Sequence, residues 1–215
     1  QRPFSGGILA AVLQFFGLSA VIILMPFYLV EGRGFSTLEA GAIMAGFPLA
    51  MLFVSPISGR LSDRMKPRIV AVVGLVVVAG GLLFLATLSP TTSVAGLVLR
   101  LVVVGTGTAL FSTPNTMVIM ACVGADRLGT ASAAQTTART VGNAIGIAVA
   151  GALFTSEAAR YALAHAPLGI ADPILGADAL ASGARLAFVV AGVIAVLAIP
   201  PALVRAYQSY SDWLA

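Results

Sequence analysis

Charge is what this sequence has least of. Only 9% of its 215 residues are Asp, Glu, Lys or Arg, while 59% are hydrophobic. Soluble domains average about 25% charged residues, so this chain has too few to cover a surface facing water. It reads as an integral membrane protein. Cysteine is nearly missing: Cys122 alone excludes a disulfide within the chain and a cysteine metal cluster. His165 is the single histidine, has no metal-spaced partner, and reads as a plain loop residue. The formal net charge of +4 is small and comes mostly from residues flanking apolar runs, so it carries topology rather than a nucleic-acid footprint. No small-residue cleavage pattern follows the first hydrophobic run, which argues against a signal peptide. The chain starts at Gln1 with no Met and no polar lead-in, as expected of a fragment cut just before a helix.

What is abundant is apolar sequence in lengths that cross a bilayer. Six spans are expected: Phe4–Val30, Leu38–Gly59, Ile69–Leu88, Ser93–Ala121, Thr130–Glu157 and Arg185–Arg205. Each is long enough for a ~30 Å hydrocarbon core at ~1.5 Å per helical residue. Most connectors are short. Ala158–Ala184, with Pro167, Pro173, Gly169, Gly176 and Gly183, reads as the one long loop. Ser36-Thr37-Leu38-Glu39 fits a capping box that starts the second span, so Glu39 reads as a cap rather than a proton site.

Between the second and third spans lies Gly59-Arg60-Leu61-Ser62-Asp63-Arg64-Met65-Lys66-Pro67-Arg68, which holds four of the chain's twelve Arg and Lys residues, Arg60, Arg64, Lys66 and Arg68, and one Asp. Burying this knot in lipid is very costly, so it marks one membrane face. With that face cytoplasmic, the inside carries Arg2, Arg60, Arg64, Lys66, Arg68, Arg127 and Arg205. The outside carries Arg33, Arg160 and Arg185, leaving Arg100 and Arg139 within spans. This positive-inside bias puts both termini in the cytoplasm.

Polar residues are unevenly shared among the spans. The third and sixth have almost none and are expected to face lipid. The first holds Gln14 and Ser19, the fourth Arg100, Thr106, Thr108, Ser112, Thr113 and Asn115, and the fifth Gln135, Thr136, Thr137, Arg139, Thr140 and Asn143. Such groups turn inward or toward a water-filled cavity. Gln135, Arg139 and Asn143, four residues apart, share one helical ridge. Beside it Ala138, Gly142, Gly146 and Ala150 form a small-residue stripe that admits a neighbouring backbone. Gly105 and Gly107 prepare a similar approach on the fourth span, and Pro114 can bend it near Asn115. Phe15, Phe16, Phe47, Phe111 and Met44 offer a deformable apolar surface, although each alone reads as ordinary packing.

At this point the residues resemble a known family. Gly59-x-x-x-Asp63-Arg64-x-x-x-Arg68 is similar to the loop motif between the second and third helices of a six-helix half of the major facilitator superfamily, with Lys66-Pro67 where the motif usually carries glycine and a basic residue. Gly105-Thr106-Gly107 with Pro114, then Gly129-Thr130-Ala131-Ser132-Ala133 and Arg139-Thr140-Val141-Gly142 with Gly146, resemble the C-terminal half of fourteen-helix drug:proton antiporters of the EmrB/QacA type. The resemblance implies an all-α membrane protein: six transmembrane helices in two three-helix repeats, forming half of a major-facilitator fold. It implies alternating access, most naturally proton-coupled multidrug efflux, with the N-terminal six- or eight-helix portion of the same transporter, the bilayer and a small-molecule substrate as partners. The first, second, fourth and fifth spans would line the cavity, with Gln14, Phe15, Phe111, Asn115, Gln135, Arg139 and Asn143 as candidate substrate contacts. Gly59, Asp63, Arg64 and Arg68 would form the gate loop, Asp63 facing a helix N-terminus of the partner half.

No metal or organic cofactor is expected; the implied energy source is the proton gradient. Coupling needs a titratable group inside the membrane. All eight acidic residues fall in loops, helix ends or the tail, which moves the coupling site to the partner half. Import or export of a small metabolite is the alternative within the superfamily. A membrane-embedded enzyme is the alternative outside it. Gly17-Leu18-Ser19-Ala20 would suit an intramembrane serine protease, but such a nucleophile needs a helical histidine base that His165 does not supply. A water channel would show two Asn-Pro-Ala loops, and an ATP-driven permease a coupling helix; neither is evident.

Overall fold

In the computed structural model, which describes residues 2–89, 91–165 and 173–204, every regular element is helical. The chain runs α1 (Arg2–Phe27), a π-helical turn (Tyr28–Gly32), α2 (Thr37–Met44), α3 (Gly46–Arg64), α4 (Pro67–Leu85), α5 (Val94–Ala121), a short 3-10 turn (Ala125–Arg127), α6 (Leu128–His165), α7 (Pro173–Leu197) and α8 (Ile199–Val204). Among the described residues, six segments are long and apolar enough to cross a membrane: Phe4–Gly32, Thr37–Arg64, Pro67–Leu85, Val94–Ala121, Ala125–Glu157 and Ala181–Ala202. The six-span reading stands.

Proline chemistry explains where the spans depart from single straight helices. Pro48 has no N–H to offer the Met44 carbonyl, and the second span breaks at Ala45 into α2 and α3. Pro26 precedes the π-helical turn that ends the first span. Pro200 and Pro201 follow the break at Ala198 between α7 and α8. By contrast α5 runs unbroken through Pro114. The capping box is formed: Glu39 N–H donates to Ser36 Oγ at 3.3 Å, and Ser36 N–H donates back to Glu39 Oε2 at 2.9 Å.

Two expected loops prove to be largely helix. The motif stretch is the last turn of α3, and only Met65 and Lys66 separate it from α4, which starts with Pro67 at its first position. The expected loop over 158–184 is mostly absorbed as well. α6 continues through Ala-Ala-Arg-Tyr-Ala-Leu-Ala to His165, all good or acceptable helix formers, and α7 starts at Pro173. His165 is therefore a helix end, not a loop residue. At 38 residues α6 is roughly 57 Å long at ~1.5 Å per residue, well past a ~30 Å hydrocarbon core. Hydropathy marks where lipid ends; it does not mark where a helix ends.

Small residues set the packing. A Cβ on Gly107 of α5 would lie 2.5 Å from the Val78 nitrogen and 2.9 Å from the Gly74 carbonyl oxygen of α4. One on Gly74 would in turn meet the Phe111 nitrogen and lie 2.9 Å from the Gly107 oxygen. The two backbones touch there. Gly105, two residues earlier, faces the other way, and its Cβ would lie 2.5 Å from the Phe47 oxygen of α3. On α6 the stripe Ala138, Gly142, Gly146 and Ala150 is buried; Gly142 meets Val12 and Gly146 meets Phe16 and Ser19, all of α1. α7 presents a buried alanine row, Ala184, Ala187, Ala191 and Ala195, to the bundle.

α4 and α7 are two-faced rather than lipid-facing throughout. On α4, Ala71, Leu75, Val78 and Leu82 are buried, while Ile69, Val73, Val76 and Leu83 are exposed. On α7 the outer face is Val189, Val193, Val196 and Leu197. The outward faces carry no polar residue among those named, in keeping with contact with lipid.

The same substitution at two places on α4 tests this packing. Gly74→Ala drives a methyl into the α5 backbone and should lower stability by about 1–3 kcal/mol. Gly80→Ala meets nothing within 4 Å and should be neutral or gain up to about 1 kcal/mol of helix propensity. Melting temperatures in detergent that rank the two variants the other way would contradict the assigned contact.

Candidate functional site

The six spans are not equally covered. In α1 56% of the best membrane window is buried, whereas in the α2–α3 span and in α6 only 22% is. These two spans thus leave most of their surface open. On α3 the open residues include Leu52, Phe53 and Ile57; on α6 they include Thr136, Thr137, Arg139, Thr140 and Ile145.

This separates polar residues that the sequence pattern groups together. Four polar residues of α1 and α5 turn inward: Gln14, Ser19, Thr108 and Asn115 are buried, while Thr106, Ser112 and Thr113 are half-buried. Phe111 is also interior, packed with Ala10, Ala71 and Leu75. The open polar face belongs to α6. Of the expected substrate contacts, then, Gln14, Phe111 and Asn115 lie inside this half. Phe15, Gln135 and Asn143 are half-buried, and Arg139 is exposed.

The ridge on α6 makes three different connections. Gln135 Nε2 donates to Thr116 Oγ1 of α5 at 2.6 Å. The Arg139 guanidinium lies over the Phe15 ring of α1, 5.2 Å from its centroid. Asn143 keeps its Oδ1 buried with no hydrogen-bond partner among the described residues. Several hydroxyl groups in the spans satisfy themselves locally: Thr108 donates to the Val104 carbonyl at 2.8 Å and Ser62 to the Ser58 carbonyl at 2.8 Å, each one turn back, whereas the buried Ser58 hydroxyl has no partner among the described residues. Longer amides have no such outlet. Gln14 is fully buried, and both its Oε1 and Nε2 are without a hydrogen-bond partner among the described residues.

An apolar cavity of about 390 Å³ opens between α1, the α2–α3 break and α5. Leu18, Val21, Met44, Phe47, Pro48 and Leu101 are among its lining residues. It suits an uncharged, greasy moiety, and Met44 and Phe47 give it adaptable walls.

At the motif end, Gly59 is half-buried beside Thr113, and Asp63 and Arg64 are exposed on the last turn of α3. Asp63 forms no hydrogen bond or ion pair with another described residue. Arg68 is half-buried and engaged. The opposite end is tied shut. Three arginines converge on the end of α4 and the segment joining it to α5: Arg100 Nε donates to the Phe84 carbonyl at 3.0 Å, Arg33 to the Thr92 carbonyl at 2.8 Å, and Arg185 to the Ala86 carbonyl at 3.3 Å. Tyr28, fully buried, adds its hydroxyl to the Ser89 carbonyl at 2.7 Å. The Arg100 guanidinium also stacks over the Phe84 ring at 4.1 Å and bonds Thr87 and Gly96. Sequence reasoning placed Arg33 and Arg185 at the outer membrane edge and Arg100 within a span but missed the clamp, since main-chain acceptors leave no spacing signature.

Comparison with known proteins adds the family. The sequence profile of the Major Facilitator Superfamily matches residues 8–210. The chain belongs to the major facilitator superfamily. Among curated relatives, the multidrug resistance protein Stp of Mycobacterium tuberculosis is 32% identical over 160 residues, covering 74% of this chain and 30% of that protein. The uncharacterized transporter YebQ of Escherichia coli is 30% identical over 146 residues, 68% of this chain and 32% of the relative. The riboflavin transporter RibZ of Clostridioides difficile is 31% identical over 157 residues, 73% and 34%. The match to these curated relatives spans about a third of their length. A bacterial homolog of the human lysosomal transporter Spinster superposes on 99% of this chain and 49% of its own, with a TM-score of 0.80 at 18% identity. The major-facilitator fold follows from that likeness together with the family match, and the membership points to a transporter rather than an enzyme.

Within this major-facilitator chain the Gln14 amide separates stability from function. Gln14→Met keeps side-chain length and removes two buried groups that have no partner here. Thermal melts should show stability equal to wild type or raised by on the order of 1 kcal/mol. A clear drop would show that the amide is bonded after all.

Proposed function

We propose that the chain is the C-terminal six-helix half of a fourteen-helix transporter of the EmrB/QacA type, which exports small apolar drugs in exchange for protons. The observation that carries this reading is the uneven cover of the bundle. The α2–α3 span and α6, two of the spans assigned to a shared cavity, are left largely open, as expected of surfaces that meet another half. The relatives named as multidrug resistance protein Stp and multidrug efflux pump LfrA support the substrate class, the latter at 30% identity. The apolar cavity beside Met44 and Phe47 supports it too. In this reading substrate moves between Arg139, Phe15, Gln135 and Asn143 on one side and the other half on the other. Gln14 and Asn115, interior here, come into play as the helices shift.

The partner is an N-terminal portion of six or eight helices in the same bilayer, the membrane of the cell's inner boundary. Both termini of this half are cytoplasmic, so the motif end faces inward and the arginine clamp outward. Asp63, exposed at the end of α3, docks on the positive N-terminus of a helix in the partner half and holds one state of the cycle, with Arg64 and Arg68 bracing it. The proton-binding group belongs to the partner half, since no acidic residue of this chain lies deep in a span. A second reading, transport of a small metabolite, is favoured by the riboflavin transporter among the relatives. Competition between a cationic dye and riboflavin for uptake into inverted vesicles separates the two.

Sidedness is checked by labelling in a Cys122→Ser background. Cysteines at Met65 and at Thr91, both exposed, should react only from the cytoplasmic and only from the outer side, respectively. Reversed labelling would turn every side assignment over. The half-transporter reading is checked by reconstitution. Residues 1–215 alone should give no pH-gradient-driven dye flux above empty liposomes, and co-expression with the upstream half should restore it. In the full-length protein, Asp63→Asn should slow turnover while substrate affinity stays within a few-fold. Flux from the isolated chain would place the coupling group among its own carboxylates.

A further inference from the structure

Arg139 lies well inside the Ala125–Glu157 span, about 17 Å along α6 from Leu128 at ~1.5 Å per residue. Its side chain is exposed, and its recorded contact is the face of Phe15. The guanidinium forms no hydrogen bond or ion pair with any described residue. A cation at that depth is costly in lipid and demands an anion or a wet cavity. The other in-span arginine, Arg100, shows the contrast: three of its nitrogens are spent on Phe84, Gly96 and Thr87. Arg139 keeps its donors unspent.

Among the described residues no anion lies at that depth. Glu31, Glu39, Asp63, Asp126 and Glu157 all sit at the ends of the spans. Asp172, Asp178 and Asp212 fall outside the six spans in sequence. The shape of the guanidinium restricts the choice further. All its N–H groups lie in the plane of the group, and none is spent on a described residue. Those form a fork that matches two oxygens of a planar anion.

We propose that Arg139, backed by Phe15, is a carboxylate-recognition site on the open face of α6. Two sources carry that chemistry: a carboxylate on the transported molecule, or a carboxylate side chain of the other half that pairs with Arg139 in one state of the cycle. This deepens the transport reading above and rests on it for the second source. It also adds a specific demand, since a purely apolar or cationic cargo leaves the guanidinium unmet.

The test uses the full-length transporter as wild type, Arg139→Gln and Arg139→Lys. Fluorescein, which carries a carboxylate, and its methyl ester, which does not, serve as probes in equilibrium binding. Melting temperature and dye flux are measured alongside. If the cargo supplies the carboxylate, Arg139→Gln loses about tenfold or more in fluorescein affinity, Arg139→Lys loses less, and ester binding does not change. If the other half supplies it, Arg139→Gln lowers stability or flux with both dyes alike, and neutralising one acidic residue of that half restores the loss. The proposal is overturned if Arg139→Gln binds, melts and transports as wild type does. It is equally overturned if its defect is neither selective for the carboxylate dye nor restored by any neutralised acid, because Arg139 then only packs on Phe15. Should Arg139→Gln fail to fold, Arg139→Lys, which keeps the charge but not the fork, carries the comparison. Absence of flux from the wild-type protein would count against transport, while the binding and stability arms still decide the anion.

Discussion

The close approach of helix backbones through small residues is the constraint on which the rest of this bundle depends. Lipid tails are as apolar as leucine, so no hydrophobic force pushes these helices together; contact area and fit must do it. Gly74 and Gly107 let α4 and α5 touch, Gly105 admits α3 to the other side of α5, and Gly142 with Gly146 seat α6 on α1. α5 and α1 thus act as two posts, each gripping neighbours on more than one side. The functional side chains inherit their positions from these seams. Phe15 sits beside the Gly142 contact, which is why Arg139, three residues before Gly142, finds an aromatic face beneath it.

Much of this architecture was legible in the sequence, and the limits have physical causes. The number of spans was readable because each run of apolar residues is long enough to cross a bilayer. The stripe from Ala138 to Ala150 was readable because a spacing of four keeps residues on one helical face. What Gly105 and Gly107 would touch was not readable, since glycines two residues apart on a helix point toward different neighbours and the sequence names neither. The polar content of α1, α5 and α6 was counted correctly but not aimed correctly. A buried Gln14 and an exposed Arg139 look alike when only their presence in an apolar run is scored. The ends of α3 and α6 were misplaced for a related reason: hydropathy falls at the lipid boundary, and the helices do not stop there.

Two kinds of polar group in these spans stand in contrast. Hydroxyls such as Thr108 and Thr116 return their protons to a carbonyl one turn back and ask nothing of their neighbours. Gln14 and Asn143 cannot reach their own backbone in that way, and their orphaned atoms remain a cost that packing alone would have removed by an apolar replacement. Natural proteins violate such rules mainly at working sites. The same contrast separates Arg100, whose donors are consumed by structure, from Arg139, whose donors are kept available.

The arginine clamp has a consequence of its own for how the bundle responds to pH. Among the described residues its acceptors are the carbonyls of Phe84, Ala86, Ser89, Thr92 and Gly96 and the hydroxyls of Thr87 and Tyr28, and no carboxylate takes part. An amide oxygen neither gains nor loses a proton under conditions a cell meets. That end of the bundle therefore keeps its shape through acidification, whichever compartment it faces.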